Sequence, residues 1–162
     1  MLIKNGKIFT CEEGKIYEKG DILIKDGKIS KIGEDLSQYI GEEEVIDAKG
    51  LLIFPGFIEA HCHLGLHEEG NNGAGNGTNE ASEPITPQMR AIDGINPFDG
   101  GFQSAREAGV TTAVIGPGSA NVIGGQFAAV KTSGICIDDM IIKEPVAIKV
   151  ALRDTPKRVC SG

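Results

Sequence analysis

Short runs of alternating apolar and polar residues, separated by turn residues, make up the first third of the chain. Over residues 1–53 this pattern is typical of short antiparallel strands. Residues 3–8 and 24–29 are near copies, centred on Asn5-Gly6 and Asp26-Gly27. Both dipeptides accept the positive φ angles of a type I′ turn, so each is predicted to close a hairpin. We interpret the likeness as shared turn chemistry rather than as a true repeat.

The pattern changes at the Pro55-Gly56 break, where an apolar run leads into a segment with two histidines. The segment predicts a short buried strand carrying His61 and His63 at its carboxyl end, where α/β folds build their sites. Side chains alternate faces along a strand, so the two histidines point one way and Cys62 the other. Two imidazoles on one face can share a cation, although such pairs also occur as ordinary surface histidines.

A predicted β-α-β unit follows this strand. The residues from Asn96, as N-cap, to Gly109 predict a helix. Residues 110–115 then read as a buried strand. The turn at residues 116–119 should adjoin the histidines; it is either an ordinary glycine turn or a set of backbone amides for a substrate carboxylate. The apolar stripe of the helix is expected to lie in the core and comprises Phe98, Phe102, Ala105 and Ala108.

Further strand material lies toward the end of the chain. Residues 124–132 predict a strand within an excursion from the main sheet, and residues 145–152 predict a third strand of the β/α series.

Between the histidines and the helix, residues 66–87 form a glycine- and asparagine-rich stretch with little to bury. Loops of this length are usually functional covers or disordered linkers. Its position predicts a lid over the histidine pair, with a disordered linker as the alternative. His67 lies within it and is interpreted as facing substrate or solvent.

Composition excludes some classes of partner. The net charge is −7 and the basic residues are scattered, which argues against binding to nucleic acid or to an anionic membrane. No signal peptide is evident and no apolar run approaches the ~20 residues of a membrane span, so we expect a cytoplasmic protein. The four cysteines form no Cys-x-x-Cys pair and are expected to be reduced thiols.

Residues 55–63, Pro-Gly-Phe-Ile-Glu-Ala-His-Cys-His, resemble the first-strand signature of the amidohydrolase superfamily. Residues 107–114 resemble its second barrel strand with the preceding helix end, and the greatest likeness is to imidazolonepropionase-related amidohydrolases. The resemblance implies an α/β fold: an incomplete β-sandwich subdomain over residues 1–54, then the first strands and helices of an incomplete TIM-like barrel over residues 55–162. A whole barrel typically needs about 250 residues. The chain has 162. We therefore expect a truncated gene, a fragment, or a companion chain that completes the barrel.

The resemblance also implies chemistry. Family members hydrolyse C–N bonds with metal-activated water, so we expect a small-molecule substrate that is a cyclic amide or similar, and a divalent metal, with zinc the expected ion. His61 and His63 would be metal ligands. Related sequences read Gly-Glu-Asn-Pro where this chain reads Arg153-Asp154-Thr155-Pro156, which makes Asp154 the candidate third ligand. Lys143 and Lys149 are rival candidates for this third ligand, each in the form of a carbamylated lysine.

The resemblance assigns no catalytic base within this chain, because the family's base comes from the last barrel strand. His67 is the candidate substrate-binding residue because of its position in the loop after the histidine pair. The alternative hypothesis is an inactive fragment, or a non-enzymatic protein that associates with itself as a homo-oligomer and retains a vestigial metal site. Open strand edges in an incomplete sandwich and barrel favour such association.

Overall fold

The structure is a computed structural model that describes residues 1–41, 43–69, 76–152 and 154–160. The chain divides into two compact units, Met1–Pro55 and Gly56–Gly162. Each unit is built on its own sheet, one of five strands and one of four.

The first unit is a mixed sheet with strand order β3-β2-β1-β4, in which β5 also pairs with β1. The antiparallel pairs are β1 with β2 and β2 with β3, whereas β4 and β5 run parallel to β1. Leu2, Leu23 and Leu36 form its buried cluster. The strands are β1 (Leu2–Phe9), β2 (Ile16–Lys25), β3 (Lys28–Gly33), β4 (Val45–Asp47) and β5 (Leu52–Ile53), with a 3₁₀ turn at Ser37–Tyr39.

The two near-copied dipeptides have different structures. Asp26-Gly27 connects β2 and β3 with φ angles of 51° and 70°, which confirms the predicted hairpin turn. The hairpin predicted at Asn5-Gly6 is wrong, because both residues lie inside β1, where the register with β2 shifts. Asn5 has a φ of 63°, and its N–H donates to Asp21 Oδ1 at 2.9 Å. The dipeptide therefore forms a bulge within a strand.

The second unit is a mixed α/β structure with strand order β6-β7-β8-β9. Strands β6 and β7 are parallel and joined through α1, which confirms the predicted β-α-β unit, whereas β8 is antiparallel to both of its neighbours. The sheet does not close into a barrel. Its elements are β6 (Phe57–Cys62), α1 (Gly100–Glu107), β7 (Val110–Ile115), β8 (Ile123–Lys131), α2 (Ile137–Met140), β9 (Ile141–Val150) and α3 (Asp154–Cys160), with a 3₁₀ turn at Ala91–Asp93.

The core of this unit lies between α1, the 3₁₀ turn and the faces of β7 and β8. Phe102 of α1 is 1% exposed and Val130 of β8 is fully buried. The other buried members of the cluster are Leu66, Ala91, Ile92, Ile95, Ala113, Ile115, Ala128 and Met140.

Helix α1 begins later than the sequence predicted. Asp99, not Asn96, is the N-cap, and its carboxylate accepts from Gly101 N–H at 3.2 Å. Phe98 precedes the helix and is 74% exposed, so only part of the predicted apolar stripe is core. The predicted end is correct, because Gly109 follows the helix with a φ of 83°.

Two strand predictions need correction. Strand β6 was expected to be buried, but Phe57 is 53% and Ile58 is 68% exposed, since β6 is an edge strand that pairs only with β7 among the described residues. The third strand exists as β9, but it pairs antiparallel with β8 rather than parallel with β7. The predicted excursion strand corresponds to β8.

Candidate metal centre

The two histidines lie where strand β6 ends. His61 is the penultimate residue of β6 and His63 follows the strand. Their ring centroids are 5.7 Å apart and the rings are nearly perpendicular, at 88°. This separation places both imidazoles on one side of the strand, as side-chain alternation requires.

A backbone carbonyl orients His63. Its Nδ1 lies 2.7 Å from the carbonyl oxygen of Gly116, the residue directly after β7. A carbonyl only accepts hydrogen bonds, so Nδ1 carries a proton, and in the neutral ring Nε2 is the nitrogen that keeps its lone pair. Metal-binding histidines typically donate their second ring N–H in this way, which fixes the tautomer and the ring orientation.

Two side chains from the antiparallel strands surround His61. Its ring meets Phe127 of β8 edge to face, with centroids 5.3 Å apart, and its Nε2 lies 3.3 Å from Lys149 Nζ of β9. These residues line an open depression of about 290 Å³. A lysine ammonium so close would repel a dication, so metal binding at His61 Nε2 requires Lys149 to turn away or to lose its charge.

Cys62 occupies the opposite face of β6. Its thiol donates to the carbonyl oxygen of Val114 at 3.7 Å, away from the histidine pair. Burial raises the pKa of the Cys62 thiol above its usual value. A thiol that stays protonated at neutral pH is a poor metal ligand, so the donor set on this strand is the two imidazoles.

Of the remaining predicted site residues, Lys149 contacts the pair, at 3.3 Å from His61 Nε2, whereas no contact of Asp154, Lys143 or the His67 side chain with the pair is seen among the described residues. Among the described residues, no group of three or more His, Cys, Asp or Glu side chains is placed to hold a metal. Asp154 begins α3 and is exposed, and Arg153 lies outside the described residues. The third-ligand assignment of Asp154 stays a prediction, while the rival Lys149 is the group that contacts His61.

His67 is exposed, and its backbone N–H donates to the His63 carbonyl at 3.1 Å. Its role in substrate binding stays a prediction. Residues 70–75 of the predicted lid lie outside the described residues. On either side of them the chain is tied to its surroundings, since Gly77 N–H donates to the Leu66 carbonyl at 2.8 Å and Thr86 N–H to that of Ile123 at 2.8 Å.

The turn at residues 116–119 adjoins the histidine pair as predicted, but its amides already have partners. Gly116 N–H donates to the Cys62 carbonyl at 3.2 Å and Gly118 N–H to that of Thr78 at 2.8 Å. These two amides are therefore not available for a substrate carboxylate. The turn instead contributes an acceptor, the Gly116 carbonyl, to His63.

Sequence reasoning missed three contributors to this site: the Gly116 carbonyl, Phe127 and the placement of Lys149 against His61. The first carries no side-chain signal. Phe127 belongs to a strand whose partners could not be read from its pattern. For Lys149, the alternation of side chains along β9 was the one sequence signal that could have predicted which face of the strand it lies on.

Comparisons with known proteins bear on this centre. The amidohydrolase tasK of Hapsidospora irregularis is 38% identical over 145 residues, which cover 80% of this chain and 15% of that protein. The D-hydantoinase of Geobacillus stearothermophilus is 51% identical over 65 residues, or 40% of this chain and 13% of that protein. The dihydroorotase of Caldicellulosiruptor saccharolyticus is 45% identical over 64 residues, or 40% of this chain and 15% of that protein. No protein-family model matches the chain.

Among solved structures, an amidohydrolase from Thermotoga maritima MSB8 superposes with a TM-score of 0.89 at 40% identity. The match covers 98% of this chain and 40% of that one, so the chain spans less than half the length of its structural relative. None of the helices in the described ranges has the length and apolar character that a bilayer crossing requires. The sequence relatives and the near-complete structural match point the same way: this chain is homologous to a portion of the amidohydrolase superfamily members that it matches.

Proposed function

We propose that this chain is a portion of a metal-dependent amidohydrolase that hydrolyses a C–N bond of a cyclic amide or a similar substrate. The observation that carries the proposal is the imidazole pair at the end of β6, in which the Gly116 carbonyl holds His63 Nδ1 at 2.7 Å and leaves Nε2 free. The arrangement suits a divalent cation, and zinc is the proposed ion because imidazole nitrogen is among its preferred ligands. Placement within the imidazolonepropionase-related group stays part of this proposal.

The names of the relatives support the substrate class. Three of them are a D-hydantoinase, a dihydroorotase and an allantoinase of Escherichia coli, whose names specify cyclic amides. A fourth is a 5-methylthioadenosine/S-adenosylhomocysteine deaminase of Thermococcus sibiricus, which also acts at a C–N bond. The shared chemistry is hydrolysis at carbon bound to nitrogen, and we propose that class for the whole protein to which this chain corresponds.

The residues of this chain would bind and orient the cation. His61 and His63 would each present Nε2, the first held against Phe127 and the second by its bond to Gly116. When bound, a divalent cation supplies a Lewis acid and lowers the pKa of a coordinated water toward ~7. Phe127 covers one edge of the His61 ring and limits its rotation.

Two imidazoles do not complete such a site, since a catalytic zinc usually has three protein ligands. Asp154 is the proposed third ligand, which requires α3 to approach the histidine pair. Lys149 is the alternative: its neutral amine would add to CO₂ and release a proton to give a carbamate, which would replace a repelling cation near His61 with an anionic oxygen donor. His67, four residues after His63, is proposed to contact substrate.

A different class of function is supported by the same structure. The described residues hold two metal ligands rather than three, and β6 and β9 each pair on one side only. These features fit a chain that is inactive by itself and associates with a second copy, or with a companion chain that supplies the missing ligands.

Metal analysis of three histidine variants tests the proposal. The 162-residue chain should bind zinc, His61→Ala and His63→Ala should each lower its zinc affinity by at least tenfold, and His67→Ala should leave it unchanged. Competition titration against a chromophoric chelator measures all four proteins. Zinc affinity that survives His61→Ala and His63→Ala would overturn the assignment of the centre, and hydrolysis of hydantoin by the purified chain would separate the enzyme from the inactive fragment.

A further inference from the structure

A cavity of about 190 Å³ lies within the second unit, lined by residues other than the histidine pair. Its walls come from the segment after His63, from residues 86–94 and from the start of β8 with the turn before it. The lining residues that matter here are Leu66, Glu80, Thr86, Arg90, Asp93 and Asn121.

Thr86 gives this cavity a polar group without a partner. The residue is 3% exposed, and its hydroxyl oxygen has no hydrogen-bond partner in the described structure. Its backbone is fixed, because its N–H donates to the Ile123 carbonyl at 2.8 Å and its carbonyl accepts from Met89 N–H at 3.2 Å. A buried hydroxyl without a partner is unfavourable, so a molecule inside the cavity is the group that can satisfy it.

The charged residues around the cavity disfavour the binding of an anion. Arg90 is already paired, with Asp93 at 2.6 Å and with Glu144 at 3.3 Å. Glu80 adds a further carboxylate to the lining, and its pKa is lowered by hydrogen bonds from Ser82, which keeps it ionised. The single guanidinium is thus outnumbered by carboxylates, and the local field favours a neutral or cationic occupant.

Size narrows the occupant further. A volume of about 190 Å³ is below the roughly 300–1,000 Å³ of pockets for drug-sized ligands, but it exceeds a single water at about 30 Å³ several times. We infer that this cavity binds a compact neutral or cationic molecule whose N–H group donates to Thr86 Oγ1, for which N-methylurea and methylguanidinium serve as probes. The carboxylates at its rim attract such a molecule when it is cationic.

Titration of the ¹⁵N-labelled 162-residue chain with N-methylurea, methylguanidinium and acetate tests this inference. We expect saturable shifts in the amides of residues 86–94 and 121–125 with at least one of the first two molecules, and none with acetate. Thr86→Val keeps the shape and removes the hydroxyl, and should weaken binding about tenfold.

Thr132→Val is the matched control. Thr132 is also buried, at 2% exposed, but its hydroxyl donates to the Val110 carbonyl at 2.9 Å and it does not line the cavity. This variant should bind as the unaltered chain does. The inference fails if neither nitrogen compound gives saturable shifts, if acetate binds as well as they do, or if a crystal soaked in them shows one ordered water on Thr86 instead. The titration of the unaltered chain decides the question even if a variant does not fold.

Discussion

At the residue scale, the carbonyl of Gly116 links the turn after β7 to the proposed metal centre. A Cβ added at Gly116 would lie 2.1 Å from the Phe127 ring, and that ring contacts His61. Such a contact forces the ring or the turn to shift, and either movement disturbs one of the two imidazoles. Gly116 is therefore needed for its lack of a side chain as well as for its carbonyl.

Gly116→Ala should lower zinc affinity by about 10- to 100-fold, as is typical when outer partners of metal ligands are lost. The overpacked ring should also cost about 1–3 kcal/mol of unfolding free energy. Gly77→Ala is the control, since within the described part of the chain the nearest atom to a Cβ there is the Leu66 carbonyl oxygen, at 3.6 Å. Chelator competition measures affinity, and equal affinities for the two variants would contradict the role of Gly116.

Thr86 and Thr132 are both buried, but of their two hydroxyls only that of Thr132 has a partner among the residues that the structure describes. In the absence of ligand, Thr132→Val should lower the unfolding free energy by about 1 kcal/mol. Thr86→Val should change it by less than about 0.5 kcal/mol or raise it, because no hydrogen bond is lost. Both residues lie in the second unit, so one calorimetric transition reports on both. Equal destabilisation would mean that the Thr86 hydroxyl does have a partner.

Asp21 is a buried carboxylate of the first unit, 2% exposed and 3.2 Å from Lys4 Nζ. Burial alone would raise its pKa, but hydrogen bonds from Leu36 N–H, Asn5 N–H and Lys4 outweigh burial and lower it. Because the folded pKa lies below the unfolded value of about 3.9, the stabilisation is complete above about pH 4. It is lost as the pH falls through the folded pKa.

Asp21→Asn should therefore cost about 1–3 kcal/mol near pH 6, because it removes the buried carboxylate next to Lys4, which keeps Asp35 at 3.8 Å and the Ser37 hydroxyl at 2.6 Å. The difference between the two proteins should shrink as the pH falls below 4. Urea unfolding at a series of pH values measures it. A difference that is independent of pH would show that the charge of Asp21 does not stabilise the fold.

The histidine pair was predictable because strand alternation is local. The same rule that directs His61 and His63 to one side also directs Cys62 to the other, and no knowledge of neighbouring strands is needed. The Gly116 carbonyl and the Thr86 hydroxyl were not predictable, since whether a backbone or side-chain oxygen has a partner depends on segments distant in sequence.

At the element scale, the two similar dipeptides show how neighbouring strands can override turn chemistry. Asp26-Gly27 connects β2 to β3, which forms an outer edge of its sheet, and it closes the predicted hairpin. Asn5-Gly6 lies in β1, which has β2 on one side and β4 and β5 on the other. Pairing on both sides keeps the chain extended, so Asn5 uses its positive φ for a bulge.

Asp99 joins two elements near the histidines. Besides capping α1 through Gly101 N–H, it accepts from Gly65 N–H at 3.2 Å and from Glu69 N–H at 3.0 Å, in the segment that follows His63. The residue is 7% exposed. One carboxylate thus accepts from three backbone donors, and it fixes the path of the chain after the site.

Asp99→Ala should cost about 2–3 kcal/mol, since it removes a helix cap and leaves backbone donors unsatisfied. Amide exchange at residues 64–69 should accelerate in the same variant. Asp93→Ala is the control, because Asp93 is an exposed partner of Arg90 and such surface pairs contribute about 0–1 kcal/mol. Equal costs in calorimetry would contradict a special role for Asp99.

At the scale of the whole molecule, the order of elements could be predicted but the arrangement of the later strands could not. A β-α-β unit follows from the helix and strand signals alone, because a parallel connection needs a crossover. Strand β9 could pair with β7 or with β8 on its pattern alone. The antiparallel pairing of β9 with β8 depends on the connection between these two strands. The length and turn residues of that connection do not specify which strand β9 pairs with.

Strands β6 and β9 form the two edges of the second sheet, and each exposes large apolar side chains. Ile58 of β6 is 68% exposed, while Ile142 and Ile148 of β9 are 51% and 52% exposed. Edge strands with exposed apolar residues are templates for pairing with another chain, and soluble monomers usually protect them with charges. We therefore expect the 162-residue chain to self-associate at micromolar concentration through these edges.

Size-exclusion chromatography with light scattering tests this expectation. Ile58→Lys and Ile142→Lys each place a charge on an edge strand and should shift the chain toward monomer. Phe98→Lys alters a residue that is 74% exposed but lies outside any strand, and should leave the distribution unchanged. A stable monomer of the unaltered chain, or an equal effect of all three substitutions, would exclude edge pairing and favour the companion-chain alternative. In that case zinc binding should rise when the companion chain is supplied, because the third ligand would come from that chain.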